Sequence, residues 1–236
     1  MGAAHLPKQG GHTGPQPPPH LPRQRHGVTP QMRGRYPDYD VLDSVRHWDE
    51  PTRRVVLERV AQVPAIRFFE PAEARTLAAF CDVVTAQHAE PRIPVLAMVD
   101  AKFCAGELDG FRHHDLPPDP ETWRRAAALL DRSAREAGSE DGFAGAGSQL
   151  QHELVERFAK GELDWDLPVQ KAWSVLMRGV LGAFYSHPWA WNEIGFGGPA
   201  HPRGFARLGE GQREQWERPE EFVADPVEDV HERGLE

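Results

Sequence analysis

Cysteine is scarce in this chain, with Cys81 and Cys104 its only two. Neither stands in a CxxC or CxxCH arrangement, so the sequence offers no zinc ribbon, redox dithiol or c-type haem attachment. The pair reads as two buried thiols, because free cysteine is among the most buried residue types. A single bridge between two helices is the alternative, and it requires an oxidising compartment. No run approaches the roughly 20 apolar residues of a membrane span, which argues against direct membrane insertion. No two-residue alternation lasts long enough to predict a strand, and there is no internal repeat. A nucleophile elbow, a phosphate-binding P-loop and an HExxH zinc motif are all missing.

Acidic residues are missing from one part of the chain. None precedes Asp38, whereas Lys8, Arg23, Arg25, Arg33 and Arg35 are basic. Taking those five from the 27 basic residues leaves 22 against 36 acidic ones, a balance of −14 over the remainder. A body this acidic argues against nucleic acid or an anionic membrane as the main partner. The first 36 residues are rich in Pro and Gly and poor in large apolar side chains, which predicts a disordered tail. Their start has no apolar h-region and no twin arginine. As written, the sequence predicts a cytoplasmic protein, or a periplasmic one if a partner carries it out. His5, His12, His20, His26 and His47 lack metal-ligand spacing and read as solvated.

The rest of the chain has helical periodicity. Tyr36, Tyr39, Val41, Leu42 and Trp48 read as an ordered arm pinned to a core. A first helix follows Pro51, with Val56 and Val60 inward and Arg53 and Arg54 outward. A second starts at Pro71 with Glu73 in its first turn and a stripe of Leu77, Cys81 and Val84. Phe68 or Phe69 can staple its start. A third, from Val95, turns Leu96, Val99 and Phe103 inward, with Asp100 and Lys102 in solvent. Asp119 and Pro120 open a fourth, with Trp123, Ala127 and Leu130 buried. Ser148 and Gln151 fit a capping box for a fifth. The sixth follows Pro168 and is the central candidate, with Val169, Trp173, Leu176, Val180 and Phe184 as its stripe and Leu181 and Tyr185 widening it. His113, His114 and Asp115 superficially suggest a metal site, but adjacent histidines diverge on any regular backbone. The carboxylates of Glu162, Asp164 and Asp166 suit a turn before a helix start.

Residues 182–208 stand apart in composition. They hold two Trp, three Phe, one Tyr, five Gly and three Pro. Gly195, Gly197 and Ala200 spell G-x-G-x-x-A, and Glu214 follows at about the spacing of a ribose-binding acid. That fingerprint needs a strand before it and a helix after it. Pro199 and Pro202 interrupt such a helix, so nucleotide binding is not expected. His187 and His201 flank the loop as conceivable general bases, but each lacks an orienting carboxylate nearby in sequence. Trp and Arg are enriched at interface hot spots, and glycine permits close backbone approach. Trp189, Trp191, Asn192, Glu193, Phe196, Gly197, Gly198, Arg203 and Phe205 are therefore the candidate partner-binding residues. The alternative is a lid folded over the helices.

The stretch HPWAWNEIGFGGPAHPRGFARL resembles the C-terminal signature of the gluconate 2-dehydrogenase subunit 3 family. RFFEPAEARTLAAFCDVV resembles the N-terminal signature, with weaker likeness in DLPPDPETWRRAAALLD and YPDYDVL. The resemblance runs from about Tyr36 to Glu220. It implies an all-helical accessory subunit that carries no redox centre itself. The implied partner is a large FAD-dependent sugar or alcohol dehydrogenase of the glucose–methanol–choline type, sometimes with a multihaem cytochrome c subunit. FAD is expected in that partner and no cofactor in this chain. Many relatives carry a twin-arginine signal where this chain has a Pro-rich tail.

The expected architecture is all-α: one compact domain of about six helices over 37–208, a Gly/Pro/Trp-rich loop at its C-terminal end, a disordered tail over 1–36 and an acidic, partly ordered tail over 209–236. The expected function is that of a non-catalytic small subunit that binds and stabilises or matures a flavoprotein. Two alternatives stay open. One is a stand-alone enzyme with a pocket near His187 and His201. The other is a scaffold that recruits partners through its tails.

Overall fold

The computed structural model describes residues 39–87, 90–108, 110–111, 113–209 and 212–218. The Pro/Gly-rich tail with its histidines, Tyr36, and the acidic stretch from 219 onward lie outside the described residues. Among the described residues the protein is all-α, with no strand. A 3-10 turn, Val41–His47, leads into α1 (Glu50–Ala61), α2 (Pro71–Val84), α3 (Val95–Cys104) and α4 (Asp119–Glu136). The short α5 (Gly142–Gly145) follows, then α6 (Ser148–Lys160), α7 (Val169–Ser186) and α8 (Pro188–Ile194). The six helices expected from periodicity are all present, and α5 and α8 are additional. No helix among the described residues is long and apolar enough to cross a membrane.

Local chemistry explains the helix starts. In α2, Pro71 opens the helix with its φ already preset, and Glu73 reaches back to accept from the Glu70 amide at 2.9 Å. The start of α4 lies one residue earlier than its sequence suggests. Pro118 takes the cap position and Asp119 is the first helical residue, where it pairs with Arg178 of α7 at 2.9 Å. Ser148 likewise begins α6 rather than capping it. Gly147 takes the cap, and Gln151 donates to the Phe143 carbonyl at 2.9 Å.

One aromatic-rich core joins the helices. α7 touches α3, α4, α6 and α8, and α2 touches α3, α4, α5 and α6. On α7 the deepest residues are Ala172, Val175, Leu176 and Val180, while Val169, Trp173 and Phe184 are partly buried. Trp173 meets the rings of Phe80 and Phe158 edge-on, at 6.0 and 5.2 Å between centroids. Leu181 and Tyr185 do not widen the buried stripe. They are exposed, because the helix turns them past the edge of its neighbours. Gly179 is required by packing, since a Cβ there would lie 2.7 Å from Cζ2 of Trp123.

Two expectations fail on α3, and both come from assigning its faces by apolar residues alone. Asp100 is not in solvent but fully buried. Its carboxylate accepts from three successive amides of the α1–α2 linker, Arg67 at 2.8 Å, Phe68 at 2.9 Å and Phe69 at 3.0 Å. Those donors precede α2 and have no helical acceptor, so a buried carboxylate satisfies them. It also fixes Phe68 and Phe69 against Phe103, with centroids 5.4 and 6.0 Å away. Cys104, one turn further on, is exposed rather than buried. Cys81 is buried and free, and burial pushes its thiol pKa up. The two sulfurs are not bonded.

Asp100→Ala removes the acceptor of three amides and leaves buried donors unsatisfied. We expect a loss of roughly 2–4 kcal/mol in urea unfolding, with the m-value unchanged. A loss below about 0.5 kcal/mol, the level of a surface change, would contradict this assignment.

Candidate functional site

α7 ends where Pro188 begins α8, and His187 serves both helices. Its backbone closes α7 by donating to the Phe184 carbonyl at 3.1 Å. Its ring Nδ1 accepts from the Trp189 amide at 3.2 Å and so caps α8. The ring is fully buried, and that burial pulls its pKa down to about 4; the nearby Arg59 guanidinium also lowers it, while the Arg59 backbone acts in the opposite direction. Gly195 ends α8 in the left-handed conformation, φ 67°, which suits glycine. The G-x-G-x-x-A pattern is thus a helix end followed by irregular chain, and among the described residues no helix opens after it.

α8 is buried along most of its length, including Trp189, Trp191, Asn192 and Glu193. Trp191 donates through Nε1 to the Tyr185 carbonyl at 2.6 Å. Asn192 faces the N-terminal arm. Its Oδ1 accepts from the Val41 amide at 2.7 Å, and its Nδ2 donates to Asp40 Oδ1 at 3.5 Å. The Tyr39 hydroxyl donates to the Phe196 carbonyl at 3.1 Å, and burial pushes the phenol pKa up to about 12.

The two glycines after Phe196 are needed because the chain passes between indole rings. A Cβ on Gly197 would lie 2.3 Å from Trp216, and one on Gly198 would lie 2.6 Å from Trp48. Gly198 also has φ 79°. Arg203 closes the turn by donating through Nη2 to the carbonyls of Gly197, at 2.8 Å, and Pro199, at 2.9 Å. Its guanidinium lies 4.0 Å from the Trp216 ring centroid and 5.9 Å from that of Trp48. Its Nε and Nη1 have no acceptor among the described residues and lie against those rings. His201 is exposed and meets Asp49 at 3.0 Å. Thr52 first, and His201 after it, hold the Asp49 carboxyl below the usual range.

The nine candidate partner-binding residues therefore divide by direction. Trp189, Trp191, Asn192, Glu193, Gly197 and Gly198 are buried, and Arg203 is engaged with the chain's own backbone. Phe196 and Phe205 face outward, 42% and 50% exposed. Phe196 stands edge-on to Trp191 at 5.6 Å, and Phe205 lies 5.1 Å from Trp216. Tyr185 at the end of α7, Ile194 at the end of α8 and Leu208 in the C-terminal segment are also exposed. Neither His187 nor His201 lines the clefts beside α2 and α7. The orienting carboxylate of His201 is Asp49, 152 residues away in sequence and so invisible to local pattern. Gly197 and Arg203 both meet Trp216, and no local sequence pattern marks that contact.

A protein-family model described as gluconate 2-dehydrogenase subunit 3 matches residues 71–198, more than half of the chain. The match covers α2 through α8 and ends on the second of the two indole-flanked glycines. No curated protein and no solved structure matches the chain.

Because the folded His187 pKa lies near 4, below its ordinary 6.5, the fold favours the neutral ring. Its contribution to stability is complete above about pH 6.5 and falls as the pH drops toward 4, by up to about 3 kcal/mol. His187→Asn keeps a capping acceptor and should flatten this part of the stability profile. Urea midpoints measured from pH 7.5 to 4 test it, and an equal slope in both proteins would contradict it.

Proposed function

This chain belongs to the gluconate 2-dehydrogenase subunit 3 family, and from that premise we propose that it is a non-catalytic accessory subunit. On this reading it binds a large FAD-dependent sugar or alcohol dehydrogenase of the glucose–methanol–choline type and stabilises or matures it. The flavin belongs to the large subunit, and a cytochrome c subunit is a further partner of the assembly. If the large subunit is exported, this chain travels with it.

The observation that carries the reading is how the signature divides between inside and outside. Its polar side chains hold the arm, while Phe196 and Phe205 keep large apolar area in solvent. Scattered exposed apolar residues need no explanation, but five large ones between residues 185 and 208 supply, in this proposal, an apolar edge for the partner. Phe196 packs on buried Trp191, and Phe205 and Tyr185 pack on half-buried Trp216 and Phe184, so less conformational entropy is lost on docking than for free side chains. The buried tryptophans support this edge from behind. In this proposal they act on the partner only through the residues they position.

Co-expression with a large flavoprotein subunit, followed by affinity capture, tests the proposal. We expect a complex with raised flavin content, and no complex would contradict it. The Phe196→Ala, Phe205→Ala double variant should bind roughly tenfold or more weakly while its own stability changes by about 0.5 kcal/mol or less per site. Trp191→Ala, by contrast, should destabilise the isolated subunit by about 3 kcal/mol or more.

A further inference from the structure

A cleft of about 670 Å³ opens between α1, α3 and α7. Small-molecule sites fall in roughly this size range, about 300–1,000 Å³. Met98, Phe103, Trp123 and Val175 give it apolar walls. Two of its residues stand out. Gly182 lies inside α7, where glycine is among the least favourable residues. Unlike Gly179, a Cβ there would meet nothing within 4 Å. The space beside it is therefore open, and the fold has no need of glycine at this position.

The second residue is Arg59. It is half-buried, and its Nη1 donates to the Ser186 carbonyl at 2.8 Å. No carboxylate among the described residues pairs with it, and burial alone pulls its pKa down. A guanidinium partly withdrawn from water without a counter-charge gains from an anion that enters the cleft. The other charges limit which anion fits. Arg178 is already paired with Asp119 at 2.9 Å, and Lys102 has an interaction of its own. Glu58 and Glu107 are exposed where they line the cleft, so they repel a multiply charged ligand.

We propose that this cleft binds a monocarboxylate with an apolar body, the carboxylate on Arg59 and the body beside Gly182 against Met98 and Phe103. The inference is independent of the subunit reading, since it concerns the isolated chain. Calorimetric titration and thermal melting with octanoate, 3-phenylpropanoate and octanamide test it. One or both carboxylates should bind saturably at one site and raise the melting temperature, with octanamide at least tenfold weaker. Arg59→Gln should weaken carboxylate binding at least tenfold. Because Arg59 also caps α7, Gly182→Leu provides the second variant. It fills the cleft, should melt at or above the wild-type temperature, and should bind neither carboxylate. The proposal is overturned if neither carboxylate binds the wild type, if octanamide binds as tightly as octanoate, or if Gly182→Leu keeps wild-type affinity.

Discussion

The hydrogen bond from the Val41 amide to the Asn192 side chain, 2.7 Å long, joins the two ends of the described chain. The arm begins with a turn whose apolar residues, Val41, Leu42 and Val45, are buried. Burying them also buries backbone amides that need acceptors, and a short turn cannot supply all of them itself. A carboxamide is suited to this position because it accepts from Val41 and donates to Asp40 without bringing in a charge. With the arm held there, Trp48 lies against Gly198, and Arg203 covers the indoles of Trp48 and Trp216. The glycines, the arginine and the asparagine of the signature thus serve a single task, which is to close the C-terminal segment over the N-terminal arm.

This closure determines what is left for a partner. Residues that look like interface anchors by type are mostly occupied inside the chain. Among the described residues Phe196 and Phe205 stay exposed, and the edge proposed on them is positioned by the layer beneath. An accessory subunit that stabilises a larger protein needs a surface that is rigid before it docks. In the proposed assembly, the internal closure supplies that rigidity and the edge supplies the contact. The cleft beside α7 is a separate feature with a different chemistry, built on a cation and an open helix face rather than on exposed aromatic rings.

Much of the fold is legible in the sequence because helices declare themselves through short-range periodicity. Val56 with Val60, Leu77 with Cys81, and Trp123 with Ala127 and Leu130 all face inward as their spacing predicts. Proline at the second helix start and the arm pinned by Val41, Leu42 and Trp48 were equally readable. Apart from the one-residue shifts at the starts of α4 and α6, the failures come from the long-range packing of the chain. Asp100 looks solvated until the linker amides 31 to 33 residues earlier are brought to it. Leu181 and Tyr185 continue an apolar stripe, but whether a stripe is covered depends on where the neighbouring helices stop. Gly197 and Gly198 were legible as places of close approach, whereas the indoles that approach them were not. The same holds for Asn192, whose partner lies 151 residues away.

Hydrogen exchange of the isolated protein tests the closure most directly, read at the arm in the wild type and in Asn192→Ala. The account predicts that the Val41 amide and its neighbours through His47 exchange slowly in the wild type. It further predicts that Asn192→Ala removes this protection while α4 and α7 keep theirs. Unchanged protection of the arm in the variant would contradict the account, because the arm would then be held by its apolar contacts alone.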